Sequence, residues 1–356
     1  MAVQQTVREE GCGSSGEYNT VDGSLEAGRG FRGHRVKAHA CLAVPVALTA
    51  LSLTPRAAAY SWPVKPFHKQ HPIRATFGDP RYHLDAEGQL SAFHFGVDIV
   101  ARDGTPVYAV EPGVVVRRHA TSVTVGRASG RRFGYWHVRP VVRSGAYVRL
   151  HQLIGYVLRG WGHVHFAESM RGAYRNPLRR GALAPFNDHT VPSIASVEVL
   201  TVDGSVADNG HIAGAIDIRA DVYDTPPLTP PPPWDVARVA PAAVGWDLTD
   251  SAGRVVQSSL SVSLNFALPS NLEYGWMYAP GSYQNKPHRP GHYVYWLAHA
   301  FDTTAFSDGT YSLEVFASDT RDNVGRAKVD LTFANGALQR STARGSPPAR
   351  STGGSS

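Results

Sequence analysis

Between residues 60 and 190 the apolar positions come in short runs broken by glycine and proline, with no window showing a long helical period. The clearest runs are Val107–Val110, Gly113–Arg117, Ser122–Val125, Tyr135–Val138, Tyr147–Arg149, Ile154–Leu158 and His163–Phe166. Each is strand-sized, so this stretch is predicted to be all-β. A second set follows over residues 191–335. Ser196–Leu200 and Ala215–Ile218 alternate apolar and polar as half-buried strands do, and Val244–Leu248 leads through a turn at Asp250–Gly253 into Val255-Val256. Asp308–Val315, followed by Ala317-Ser318-Asp319 and Val329–Phe333, resembles the last hairpin of an immunoglobulin-like β-sandwich. Pro226-Pro227 and Pro230 to Pro233 interrupt this second unit and are expected to be extended and exposed.

The N-terminal end reads differently. Residues 1–34 are rich in Gly, Glu and Ser and are expected to be a disordered or mis-assigned extension, with translation starting near Val36. Residues 35–59 combine Arg35 and Lys37, the apolar run Cys41–Leu53 and Ala57-Ala58-Ala59. That is the pattern of a secretory signal peptide, cleaved near Ala59–Tyr60. The run is short for a permanent bilayer helix, so no stable membrane span is expected after cleavage, and the mature protein should be secreted, extracellular or associated with the cell wall. Residues 336–356 are expected to be a disordered tail.

Composition narrows the chemistry. The only cysteines among 356 residues are Cys12 and Cys41, both ahead of the expected mature start, so a disulfide framework and a Cys-based zinc site are excluded there. The net charge of +6 conceals an asymmetry: residues 60–190 hold 18 basic and 8 acidic residues, 18 − 8 = +10, and residues 191–335 hold 8 and 16, 8 − 16 = −8. A basic first half suits anionic cell-wall polymers. Nucleic acid is not expected, because no nucleic-acid motif accompanies the charge.

The chemistry-bearing stretch is His163-Val164-His165-Phe166. On a strand, His163 and His165 share one face while Val164 and Phe166 turn into the core. Upstream lie His94 and Asp98, spaced to share a face of a strand or bulged strand, and between them Tyr135-Trp136-His137-Val138. A hydrolytic zinc needs three protein ligands, an open position and a nearby base. These five residues supply the number and types, without fixing which does what. No His-Glu-x-x-His motif is present, so a histidine must act as base.

Residues 74–168 closely resemble the lysostaphin-type zinc metallo-endopeptidases, peptidoglycan hydrolases of the duplicated hybrid motif fold. The resemblance runs through Ala75-Thr76-Phe77-Gly78 with Arg81, His94–Ile99, Gly104–Ala109, Gly113-Val114-Val115, Tyr135–Val138, Val148, Gln152, Ile154-Gly155 and His163–Phe166. It implies zinc held by His94, Asp98 and His165, with His137 and His163 as catalytic histidines, in a small β-fold with a groove over the metal. It implies a secreted endopeptidase that cuts peptide cross-links of peptidoglycan. The alternative is a non-catalytic wall-binding protein or regulator of other hydrolases, against which stands the presence of all five residues. Two departures concern one groove wall: Gly160-Trp161-Gly162 shortens the turn before His163, and the usual glutamate falls at Glu168, after Ala167. His68, His71, His83, His119, His151 and His189 have no motif support. The aromatic group Tyr274, Trp276, Tyr278, Tyr283, Tyr293, Tyr295 and Trp296 is expected to be sandwich core and loop packing. Asp319 and Asp322 are expected in a solvated turn.

Overall fold

The computed structural model describes residues 59–85 and 88–336, and no side chains from 82 to 91. The signal-peptide, N-terminal extension and C-terminal tail expectations lie outside the described residues. The described residues form one compact unit. No helix among the described residues is long and apolar enough to cross a membrane.

The first half is all-β, as its short apolar runs predict. Its strands are β1 (Ile73–Ala75), β2 (Pro80–Asp85), β3 (Gly88–Phe93), β4 (Val97–Val100), β5 (Pro106–Tyr108), β6 (Gly113–His119), β7 (Ser122–Gly126), β8 (Arg131–Trp136), β9 (Val138–Pro140), β10 (Tyr147–Val148), β11 (Leu153–Val157), β12 (His163–Met170) and β13 (Ala173–Arg175). The main sheet runs β1-β4-β12-β8-β7-β6-β10, with β13 beside β12; β5-β11-β9 form a smaller sheet and β2-β3 a separate hairpin. Between the sheets, Val97 and Ile99 of β4, Phe133 and Tyr135 of β8, Val164 and Phe166 of β12 and Ile154 of β11 share one buried cluster with Trp62. Burying each large apolar side chain contributes about 1.5–3 kcal/mol. That core fixes the strand register, and the register brings His165 opposite Asp98 on one side and Trp136 on the other.

The second half comprises β14 (Ser193–Thr201), β15 (Ala215–Tyr223), β16 (Ala243–Thr249), β17 (Val255–Ser263), the short helix α1 (Tyr274–Met277), β18 (Val294–Asp302), β19 (Gly309–Ser318) and β20 (Val324–Phe333). Sheet β14-β15-β18 faces sheet β17-β16-β19-β20 across a common core. Trp246 of β16 is buried there, and its indole N–H donates to the Leu297 carbonyl of β18 at 3.0 Å, tying the sheets together. The Tyr311 hydroxyl, near the start of β19, donates to the Ser307 carbonyl at 2.9 Å, the tyrosine corner of immunoglobulin-like sandwiches. Tyr274, Tyr278, Tyr293 and Tyr295 are core, as expected, whereas Trp276 is exposed.

The two halves interpenetrate. Phe77 and Phe93, which flank the β2-β3 hairpin, are buried in the sandwich's cluster and not in that of the first half. The turn between β1 and β2 is stitched to the sandwich: Ala240 N–H donates to Asp79 Oδ1 at 2.9 Å, and the Tyr278 hydroxyl donates to the Gly78 carbonyl at 2.9 Å. The proline-rich segment departs in part from the extended, exposed arrangement expected of it. Pro231 and Pro232 are exposed, but Pro226 and Pro230 are buried, and a turn at Pro231–Trp234 leads to Trp234, whose ring lies against Arg74 of β1.

Candidate active site

The site is built around β12. Its alternation puts Val164 and Phe166 into the core and His163 and His165 on the opposite face. His165 sits between β4 and β8, so its register partner Asp98 lies beside it: His165 Nδ1 and Asp98 Oδ1 are 3.1 Å apart. His94 is not on a strand with Asp98, as the spacing suggested. It lies in the connection between β3 and β4, which Gly96 lets pass close under β12. His94 Nε2 lies 3.1 Å from Asp98 Oδ1 and 2.8 Å from His165 Nδ1. All three residues are buried.

The tautomer of His94 follows from its other nitrogen. Nδ1 lies 2.7 Å from the Thr76 carbonyl, which only accepts, so Nδ1 carries the proton and Nε2 presents a lone pair. Thr76 in turn donates its backbone N–H and hydroxyl to Asp79 at 3.1 and 2.9 Å. Burial pushes the Asp79 carboxyl up to about 6, opposed by Arg81. A residue of the sandwich, Ala240, therefore helps fix the turn that orients His94.

His163 faces the same centre. Its Nδ1 donates to the Trp161 carbonyl at 2.7 Å, leaving Nε2 as the basic nitrogen, 3.6 Å from Asp98 Oδ1. His137 completes the group from an unforeseen backbone position. The run Tyr135–Val138 is not one strand: Trp136 ends β8 in the main sheet, Val138 begins β9 in the smaller one, and His137 takes φ 61° at the corner between them. Its ring stacks on Trp161 at 3.6 Å and lies 4.6 Å from the His163 ring. No hydrogen bond to the His137 ring occurs among the described residues.

Electrostatics keep these histidines neutral. Burial, reinforced by Arg81, lowers His94 to about 3; burial and Arg74 lower His163 to about 3; burial and His163 lower His137 to about 2. Burial alone would raise Asp98, but the facing histidines hold it well below the usual carboxylate range. A neutral imidazole and an ionised carboxylate are the protonation states that bind a metal.

His94 Nε2, Asp98 Oδ1 and His165 Nδ1 converge at 2.8–3.1 Å, and with the His165 proton on Nε2 all three present lone pairs, which repel one another unless a cation lies among them. The His94–Asp98–His165 group can hold a metal ion. The donor types suit zinc, whose nitrogen and oxygen ligands lie at about 2.0–2.2 Å.

Two arginines border the group. Arg81 donates to Asp98 Oδ2 at 3.3 Å. Arg74, from β1, donates to His163 Nε2 at 3.2 Å, and its guanidinium lies 4.0 Å from the ring of Trp234, at the end of the proline-rich segment. Asn285 of the sandwich donates to the Arg74 carbonyl at 2.9 Å. Neither arginine nor Trp234 was singled out for the site from sequence; Arg81 alone had a motif signal. Glu168, which follows the histidine motif, is buried and accepts hydrogen bonds from Arg131, Arg179 and the Tyr60 hydroxyl, so it braces the sheet away from the site. His71 and His151 make local contacts with Pro66 and Ser61, outside the site.

A second buried group was misread. Asp319 is 5% exposed and lies with Asp188 and Asp224, their carboxylate oxygens within 4.8 Å of one another, instead of in a solvated turn. Asp322 does face solvent, paired with Arg180.

The model of Peptidase family M23, a family of metallopeptidases, matches residues 92–177, a span that contains all five candidate residues. The resemblance read from the motifs is thereby shown for this part of the chain. Among solved structures, a zinc-containing peptidase from Vibrio cholerae is 25% identical over 34% of this chain and 39% of its own, with a TM-score of 0.27. A mutant catalytic domain of the prophage-encoded M23 protein EnpA from Enterococcus faecalis is 27% identical over 30% of this chain and 92% of its own, at 0.23. A chain of the SpoIIQ–SpoIIIAH pore-forming complex is 21% identical over 34% of this chain and 90% of its own, at 0.28. No curated protein matches the chain.

Proposed function

We propose that the chain is a secreted zinc-dependent endopeptidase that hydrolyses peptide cross-links of bacterial peptidoglycan. The observation that carries this reading is the convergence of three buried lone-pair donors on one point, beside two further neutral histidines. His94 Nε2, Asp98 Oδ1 and His165 Nδ1 would hold the metal. Bound zinc would supply a Lewis acid for the scissile carbonyl and lower the pKa of water towards neutrality.

The chain's own residues supply the proton chemistry. With Nδ1 pinned to the Trp161 carbonyl, His163 offers Nε2 as the base that removes a proton from the attacking water and returns it to the leaving amine. His137, whose ring has no hydrogen-bond partner among the described residues, is free to donate to the developing oxyanion. Trp161 serves both: its carbonyl sets the His163 tautomer and its ring holds His137.

The test is release of new amino groups from isolated peptidoglycan by the purified protein, with and without a zinc chelator. Chelator-sensitive release is expected. His165→Ala should lose both zinc and release, and His137→Ala should keep zinc and lose release. Release that survives chelation, or full activity in either variant, would overturn the assignment.

A further inference from the structure

The geometry points to Arg74, seated by Trp234 of the sandwich's proline-rich segment, as a specificity-determining residue that binds a carboxylate of the substrate beside the scissile amide. This deepens the peptidase reading and rests on it.

The first observation is the placement of the guanidinium. It lies 3.2 Å from His163 Nε2 and 3.9 Å from Asp98 Oδ2, so a substrate group touching it lies about one residue from the reacting carbonyl, given a rise of about 3.3 Å per residue in an extended peptide. The second is its unmet bonding. A guanidinium carries several N–H donors in a planar fork matched to a carboxylate. Among the described residues Arg74 makes one side-chain hydrogen bond, to a neutral imidazole, while Arg81 already donates to both the Pro80 carbonyl and Asp98.

The third observation is charge. Among the described residues, Asp98 is the only carboxylate within 4.0 Å of either guanidinium apart from Asp79, which Arg81 alone approaches. Asp98 already accepts from Arg81 at 3.3 Å and lies 3.9 Å from Arg74 Nε, beyond hydrogen-bond distance, so among the described residues no carboxylate is hydrogen-bonded to Arg74, with or without a metal. A peptide bearing a carboxylate supplies that bond; a neutral peptide leaves a largely buried cation without it. Finally, the residue is held for this task from outside the first half. Trp234 stacks at 4.0 Å on the guanidinium, and Asn285 fixes the Arg74 carbonyl while also accepting from Arg238 N–H at 3.0 Å. The sandwich therefore supplies one wall of the site.

The test uses the full-length protein stripped of metal, and a series of labelled wall-stem peptides in which each carboxylate in turn is replaced by a carboxamide. Binding is read by fluorescence polarisation. One replacement should weaken binding about ten- to hundredfold, the range of a charge-assisted hydrogen-bonded pair. Arg74→Gln should abolish that discrimination at the same position and no other. Arg74→Lys should restore part of it, because the charge returns without the fork. Trp234→Ala leaves Arg74 in place but unseated, and should reduce the discrimination severalfold. Equal binding of every peptide, or discrimination unchanged in both Arg74→Gln and Trp234→Ala, would overturn the inference. Because binding is measured without metal, the two failures are distinguishable: discrimination in a protein that fails to cut peptidoglycan would sink the peptidase reading and leave only the carboxylate contact of Arg74, whereas cutting without discrimination would sink the contact alone.

Discussion

Gly96 is the point where the path of the chain is tightest against the site, and a single methyl group there tests the geometry. A Cβ on Gly96 would lie 2.4 Å from the Phe166 carbonyl oxygen and 2.9 Å from His165 Nε2. Ordinary contacts begin near 3.4 Å, so Gly96→Ala demands a displacement of about 1 Å. The obstructing atom is backbone of β12, held by pairing to β4 and β8, and it cannot swing aside as a flexible side chain would. Overpacking of this kind costs about 1–3 kcal/mol. For about 2 kcal/mol, a unit of this size should lose about 3–4 °C in Tm. The displacement falls on the loop between His94 and Asp98, so zinc affinity should drop by about ten- to a hundredfold, the usual effect of disturbing what orients a ligand. The control is Gly104→Ala, at φ 77° with nothing within 4 Å of the added carbon. It should cost stability of about 1 kcal/mol through backbone strain and leave zinc affinity alone. Thermal melts and competition against a chelator of known affinity measure both. Wild-type Tm and wild-type zinc affinity in Gly96→Ala would refute the close approach on which the site's construction depends.

Two pH experiments address the buried charges. In the metal-free protein, His94, His163 and His137 have folded pKa values lowered to about 3, 3 and 2, against about 6.5 unfolded. The unfolded chain therefore takes up protons first, and stability should fall as pH drops below about 6.5, by about 2 kcal/mol per histidine at pH 5; denaturant midpoints that stay flat from pH 7 to 5 would contradict this. Asp224 behaves oppositely: burial raises it to about 8, so its contribution is lost as pH climbs from about 4 to about 8. Asp224→Asn keeps an oxygen for the Thr225 N–H and should raise Tm at pH 7.5 while flattening the slope over that window; an unchanged slope would show that the carboxylate is not desolvated.

What the sequence made legible was local. The period-two pattern at His163–Phe166 placed two histidines on one face and two apolar residues in the core, and β12 does that. The alternating runs after residue 191 and the final hairpin likewise carry their own signal. What stayed hidden depends on partners far along the chain or on single dihedrals. His137 reads as mid-strand because no propensity marks a histidine for the left-handed corner it occupies, although histidine tolerates that region better than most residues. Asp319 has the company of a solvated turn in sequence, and only the fold brings Asp188 and Asp224 to it. Arg74 and Trp234 are 160 residues apart, and no periodicity links a guanidinium in one sheet to an indole in a proline-rich segment.

The stitching of the β1 turn into the sandwich has a consequence in time. Asn285, which holds the Arg74 carbonyl, follows it by 211 residues. At about 5–20 residues per second of synthesis, about 10–40 s separate the appearance of the two. The histidines and Asp98 are complete once His165 is made, and for the last 120 residues of that interval (285 − 165 = 120) they exist while Trp234, Ala240 and Asn285 arrive one after another. The wall is finished last, so a chain cut short before its sandwich carries the candidate metal ligands without the surface proposed to select what reaches them.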